Sequence, residues 1–169
     1  MFQRLFQVGV VACACVAAVG CGDKKRPEGF PETVERSIKI LQNGAPLEGA
    51  RVNLVAQDPA LARWGCGGVT NEDGVVELRT NGYPGVPIGS FKVVVMKTET
   101  VGGAQTKEDY QRRMQGEDLG VEETFDLVDR QFADQTQTPL TIEINADSKE
   151  IREFDVGAPI REPIRTPGS

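Results

Sequence analysis

The sequence predicts an all-β fold: a seven-stranded β-sandwich with a partly helical insertion before its last two strands. Three observations predict it. Seven short segments between residues 34 and 156 are apolar or alternate between apolar and polar, the pattern of strands with a buried face. Turn signals rich in Gly, Asn, Asp and Pro separate them. The chain has 169 residues, enough for one hydrophobic core without disulfide staples.

The first strand is carried by Val34, Ile38 and Ile40, which fall on one face. Arg36 interrupts that face, so the strand start shifts to near Ser37. Asn43-Gly44 is a hairpin-type turn. Arg51–Ala56 alternates again, with Val52 and Leu54 inward, and Asp58-Pro59 ends it. Residues Gly65–Thr70 make a Gly-rich strand. Asn71-Glu72-Asp73-Gly74 is a second turn, and Val76 and Leu78 face inward after it. Asn81–Gly89, rich in Pro and Gly, reads as a loop. Ser90–Lys97 is the strongest strand: Phe91, Val93 and Val95 share a face, and the β-branched run suits a central place. Leu140–Ile144 alternates cleanly. The last strand lies near Ile151–Val156, with Phe154 and Val156 inward.

The segment around residues 99–137 breaks this rhythm, being too long for a hairpin loop. Thr106-Lys107-Glu108-Asp109 resembles a helix N-cap followed by acidic residues in the first turn. Glu108/Arg112, Asp109/Arg113 and Tyr110/Met114 have i,i+4 spacing, so a short helix is expected. Val121, Phe125, Val128 and Phe132 have the spacing of a second apolar stripe on a common face, and the stronger expectation is that they fasten the insertion to the sandwich.

The N-terminus carries an address. Met1–Arg4 is a short positive stretch, and Leu5–Gly20 is uncharged and largely apolar. Sixteen residues at about 1.5 Å each fall short of a hydrocarbon core of about 30 Å. The run therefore suits a signal peptide, residues 1–20. It ends Ala18-Val19-Gly20-Cys21, which resembles the lipobox of bacterial lipoproteins, with Ala18 where Leu is commoner. Such a peptidase needs small residues beside the cut and a thiol carrying a diacylglyceryl group. Cys21 is thus the expected lipidation site, and several acyl chains such as palmitate anchor stably where one does not. The lesser alternatives are an ordinary signal peptide cut nearby and an uncleaved anchor.

Removing residues 1–20 from the 169 leaves 149. Residues 21–32 read as the lipidated cysteine and a flexible tether, 33–157 as the domain, and 158–169 as a disordered tail. The tether opens on Lys24-Lys25-Arg26, either a solvated linker or a stretch lying near anionic headgroups. The whole chain has a formal charge of −6; Arg4 is the only charged side chain in residues 1–20, so the remainder sums to −7. That balance argues against nucleic acid as a partner.

Three blocks, Asn43–Val52, Thr70–Leu78 and Pro87–Val95, in this order and spacing, resemble the carboxypeptidase regulatory-like family. Gln131-Phe132-Ala133-Asp134 followed by Thr138-Pro139-Leu140 is similar to the link before the last hairpin in small bacterial lipoproteins of this kind. The resemblance covers most of residues 34–156. It implies a transthyretin-like, or prealbumin-like, sandwich. The Trp64-Gly65-Cys66 approach and the insertion depart from it. In metallocarboxypeptidases this module is the non-catalytic companion of a zinc domain. The related hydrolases of urate breakdown use histidines and a C-terminal Tyr-Arg-Gly-Ser, and this sequence has neither.

Catalytic chemistry finds little support. The sequence contains no histidine, which removes Ser-His and Cys-His nucleophiles and most zinc sites. Cys13 and Cys15 fall in the leader and Cys21 is taken by lipid, leaving Cys66 without a disulfide partner. A buried, inert thiol is the expectation. Asn71–Gly74 lacks the full pattern of a calcium loop. Glu117, Asp118, Glu122, Glu123, Asp126 and Asp129 make an acidic cluster that reads as a solvated face, with calcium or a basic partner as alternatives. A pair of carboxylates in the insertion is the one hydrolase scheme left open. Trp64 is the candidate contact for a carbohydrate or small ligand, against an edge-packing role. The expectation is therefore a non-enzymatic module without a cofactor. It is held to the cell membrane or outer membrane through Cys21, periplasmic or surface-facing, with a protein or glycan partner.

Overall fold

A computed structural model describes residues 25–147 and 150–164 of the chain. The expected leader and Cys21 lie outside the described residues. The strands are, in order, β1 (Thr33–Val34), β2 (Ser37–Gln42), β3 (Ala45–Pro46), β4 (Arg51–Ala56), β5 (Cys66–Val69) and β6 (Val75–Glu77). Then come β7 (Arg79–Thr80), β8 (Tyr83–Pro84), β9 (Val86–Pro87), β10 (Gly89–Met96) and β11 (Thr98–Val101). Helix α1 (Lys107–Met114), β12 (Glu123–Asp126) and helix α2 (Arg130–Ala133) follow, and β13 (Thr141–Ile144), β14 (Arg152–Asp155) and β15 (Glu162–Pro163) close the chain. The fold is all-β, and each of the seven predicted segments carries a strand.

The larger sheet has the antiparallel order β13-β10-β4-β5-β7-β8. A second sheet has the order β14-β2-β3, and β6 also pairs with β2. Here β14 runs parallel to β2, setting Phe154 beside Ile40. The two sheets contribute to one hydrophobic core. Ile38, Ile40, Val76, Phe154 and Val156 enter it from the second sheet and its flank, and Val52, Leu54, Phe91, Val93, Val95, Ile142 and Ile144 from the larger one. These are the inward residues that the period-2 pattern selected. Val94, on the opposite face of β10, is buried as well, which accounts for the unbroken β-branched run there.

Local chemistry fixes the joints. Asn43 and Gly44 both have positive φ, 52° and 78°, as a two-residue hairpin turn requires. Gly74 has φ 73° and sits where β3 replaces β6 beside β2. A Cβ there would lie 2.5 Å from the Ile40 carbonyl oxygen, so only glycine fits. Asn71 Oδ1 closes this turn by accepting from the Asp73 and Val75 amides at 3.1 and 2.9 Å. Buried Thr70 accepts from the Ala50 amide at 2.8 Å and donates to the Leu47 carbonyl at 2.6 Å, so its hydroxyl is satisfied inside the core.

Several expectations are corrected. Residues 81–89 are not a plain loop: β8 pairs with β7, and β9 pairs with β1. The insertion holds α1, as its cap signal predicts, with Thr106 and Asp109 forming a reciprocal capping box. Arg112, however, pairs with Asp109 at 3.4 Å and with Glu117, not with Glu108. Of the four apolar residues meant to fasten the insertion, Val128 and Phe132 join the core, Phe125 is half-buried, and Val121 is 82 % exposed. The divergence follows from Glu123–Asp126 forming β12, an extended segment whose alternation breaks the assumed common face.

The tail is also structured in part. β15 pairs with β12, and Arg161 lies over the Phe125 ring at 3.7 Å while reaching Glu99 at 3.2 Å. Pro163 is tolerated because β15 is an edge strand. The tether is not free over its whole length, because residues 25–30 are tied to the domain.

Candidate functional site

Trp64 is the one ligand-contact residue the sequence singled out, and the fold explains its placement. Pro59 ends the strand register, and Asp58 Oδ1 accepts from the Ala60 amide at 2.9 Å, starting a run of tight turns. The Leu61, Ala62 and Trp64 amides bond back to Asp58, Pro59 and Leu61. Gly65 then exchanges bonds with Asn81: its amide donates to Asn81 Oδ1 at 3.0 Å, and the Asn81 amide donates to its carbonyl at 2.8 Å. Asn81 and Gly82, both at positive φ, turn β7 into β8 and set Tyr83 on the same side.

Phe30 fills the space between Trp64 and Tyr83. Its ring centroid lies 5.1 Å from each, edge-on at 69° and 63°, the arrangement favoured by aromatic quadrupoles. Phe30 is delivered by a turn closed by its amide donating to the Pro27 carbonyl at 3.1 Å, with Gly29 at φ 71°. Two further bonds hold the strap. Tyr83 Oη donates to the Lys25 carbonyl at 3.0 Å, and Arg63 Nη2 donates to the Gly29 carbonyl at 3.4 Å. The Arg63 guanidinium sits 4.8 Å from the Trp64 ring centre and Arg26 5.4 Å from that of Phe30.

Trp64 is therefore half-buried, with an aromatic edge and a cation already against it. Sequence reasoning missed Phe30 and Tyr83. The signal that marks Phe30 is a lone aromatic between Gly29 and Pro31 in an otherwise polar stretch.

Cys66 is buried in the core cluster. Its Sγ lies 3.4 Å from Thr80 Oγ1 and 3.4 Å from the Trp64 carbonyl. Burial pushes the thiol above its usual range, against a smaller opposing effect from the Thr80 hydrogen bond. The thiol is thus neutral near pH 7, a poor nucleophile and a poor metal ligand.

The acidic residues of the insertion are spread over separate local roles. Glu117 is bonded to Arg112, Asp126 accepts from Arg130 at 3.1 Å, and Asp129 caps α2 by accepting from the Gln131 amide at 2.9 Å. The Arg112 hydrogen bond holds the Glu117 carboxyl below its usual range, and bonds from Thr106 do the same to Asp109. A general acid at neutral pH needs the opposite shift. Among the described residues no three acidic or sulfur side chains lie close enough to hold a metal ion.

A cavity of about 850 Å³ is an open groove lined by Val34, Arg36, Ser37, Leu78, Pro84 and Ile151 among others. Arg36 there already donates to the carbonyls of Asn145 and Ala146. Compared with protein-family models, with curated proteins and with solved structures, the chain matches none.

Proposed function

We propose that the chain is a lipid-anchored, non-catalytic protein of the cell envelope, whose β-domain presents a surface to a partner. The observation that carries this is the apolar N-terminal run ending in Ala18-Val19-Gly20-Cys21, with a folded β-domain beginning within about a dozen residues. Cys21 is the lipidated residue. The domain is a seven-stranded transthyretin-like sandwich of the carboxypeptidase regulatory-like kind. Two sheets around one core, and strands at all seven predicted segments, support that finer description.

The insertion supports the partner-binding part. Helix α1 contributes no residue to the core. On and beside it Tyr110 is exposed, Met114 is 89 % exposed and Val121 is 82 % exposed. Among the described residues no helix is long and apolar enough to cross a membrane; the attachment in this reading is the lipid on Cys21.

Fractionation of cells expressing the full chain tests the reading. The parent is expected in the membrane fraction, with a diacylglyceryl mass on a new N-terminal cysteine. Cys21→Ser is expected in the soluble fraction. Retention of Cys21→Ser in the membrane fraction ends the anchored reading.

A further inference from the structure

We propose that the face built from Phe30, Trp64 and Tyr83, rimmed by Lys25, Arg26 and Arg63, lies against the anionic headgroup surface of the membrane that carries the lipid. This rests on the anchored reading above and adds an orientation to it.

The first argument is length. The strap fixes the chain at Lys25 through Tyr83 Oη and at Phe30 through two aromatic contacts. From Cys21 to Lys25 there are four residues, which reach about 14 Å when fully extended. A domain of this size has a radius of gyration of about 14 Å. The strapped face is therefore the part of the domain nearest the bilayer, and the far side cannot turn toward it. Were the chain free as far as Thr33, twelve residues would reach about 42 Å and allow tumbling.

The second argument is charge. Side chains after residue 20 sum to −7, which an anionic leaflet repels. The strap region differs: Lys24, Lys25, Arg26 and Arg63 outnumber Asp23, Glu28 and Glu32. Lys25, Arg26 and Arg63 are exposed. A juxtamembrane basic cluster of this kind is drawn to anionic headgroups.

The third argument is chemistry. Tryptophan and tyrosine with apolar bodies and polar tips favour the headgroup layer. Arginine stacked on an aromatic ring presents a cation there without leaving the ring. The aromatic cluster stands apart from the core residues, half-buried at the place where the chain leaves toward the lipid.

Trp64 is the only tryptophan in the chain, so its fluorescence reports this face alone. The full-length lipoprotein, purified in detergent, is reconstituted into phosphatidylethanolamine–phosphatidylglycerol vesicles with or without a nitroxide on the headgroup. The expected result is about a twofold loss of Trp64 emission in labelled vesicles, because the reach is only about 14 Å, with protection from aqueous iodide. Phe30→Ala, which frees the strap, is expected to lose this quenching, and Arg26→Glu with Arg63→Glu, which reverses the rim charge while Lys25 and Phe30 stay tied, to weaken it, both while still floating with the vesicles. The rim pair is surface-exposed and keeps the test valid if Phe30→Ala misfolds.

Trp64 quenched by iodide and not by the nitroxide, in protein that floats and carries acyl mass on Cys21, overturns the orientation and leaves the anchor standing. That result means the face is turned outward toward a soluble partner. Nitroxide quenching unchanged by the rim reversal overturns the headgroup attraction. Failure to float, with no acyl mass on Cys21, overturns the anchor and the orientation together.

Discussion

Asp155 stands at the end of β14 and accepts three backbone amides. Its Oδ1 takes Gly157 at 2.8 Å and Asn43 at 3.1 Å, and its Oδ2 takes Gly44 at 2.8 Å. One exposed carboxylate thus ties the last long strand to the first hairpin, 111 positions earlier. These bonds, that from Gly157 first, hold its carboxyl below the usual range. The folded value being the lower one, the stabilisation is fully present above the unfolded carboxyl range near pH 4. It is lost as pH falls through the folded value. Asp155→Asn keeps the shape but leaves only one accepting oxygen and no charge. It is expected to destabilise the domain by roughly 1 kcal/mol at pH 7. Urea unfolding at pH 7 and near pH 2 checks this: the gap between variant and parent should narrow in acid. A gap of equal size at both pH values would assign the effect to shape and not to the carboxylate.

At the scale of elements, α1 is a helix held by its own ends. Thr106 accepts from the Asp109 amide at 3.1 Å, the Thr106 amide donates to Asp109 Oδ2 at 3.0 Å, and no residue of α1 is buried. Losing such a cap costs a helix about 1 kcal/mol, and here that loss is local. Thr106→Ala is expected to raise amide exchange in Lys107–Met114 several-fold while the global urea midpoint stays put. A matching drop in the midpoint would show that α1 belongs to the cooperative core. The cap was legible from four consecutive residues, because capping is a local interaction. The inward faces of β4, β10 and β13 were legible for the same reason, since alternation needs no knowledge of the partner strand. β5 was harder to read. Gly67 and Gly68 carry no side chain to alternate, and a Cβ on Gly68 would meet Val76 Cγ2 at 2.6 Å. Those glycines exist for close approach, a fact visible only in three dimensions. The parallel pairing of β14 with β2 and the two-residue strands were equally illegible, because they depend on distant partners. The candidate site divides the same way. Trp64 was found as a lone tryptophan, whereas Phe30 and Tyr83 reach it from 34 and 19 positions away.

At the scale of the whole molecule, the chain after β13 makes two unequal returns. The first brings β14 back beside β2 and buries Phe154 and Val156 in the shared core. The second brings β15 onto β12, where Glu162 and Pro163 are exposed and support only the three-stranded sheet β11-β12-β15. The two returns should separate on truncation. Ending the chain after Gly157 removes β15 and the Arg161 contacts with Phe125 and Glu99. The core is then untouched, and the expected loss is about 1 kcal/mol or less, since exposed ion pairs and edge contacts contribute little. Ending it after Asn145 also removes Phe154 and Val156. Burial of one large apolar side chain is worth about 1.5–3 kcal/mol, and ΔG for a whole domain is about 5–15 kcal/mol. For the two side chains that is about 3–6 kcal/mol, so the second truncation takes a large share of the available stability. It also exposes the backbone edge of β2, an invitation to pair with another chain. Denaturant melts of the two truncations, with light scattering for self-association, should give a folded monomer from the first and an unfolded or aggregated chain from the second. A well-folded monomer ending at Asn145 would mean that the parallel pairing of β14 with β2 closes the domain's edge without holding its core together.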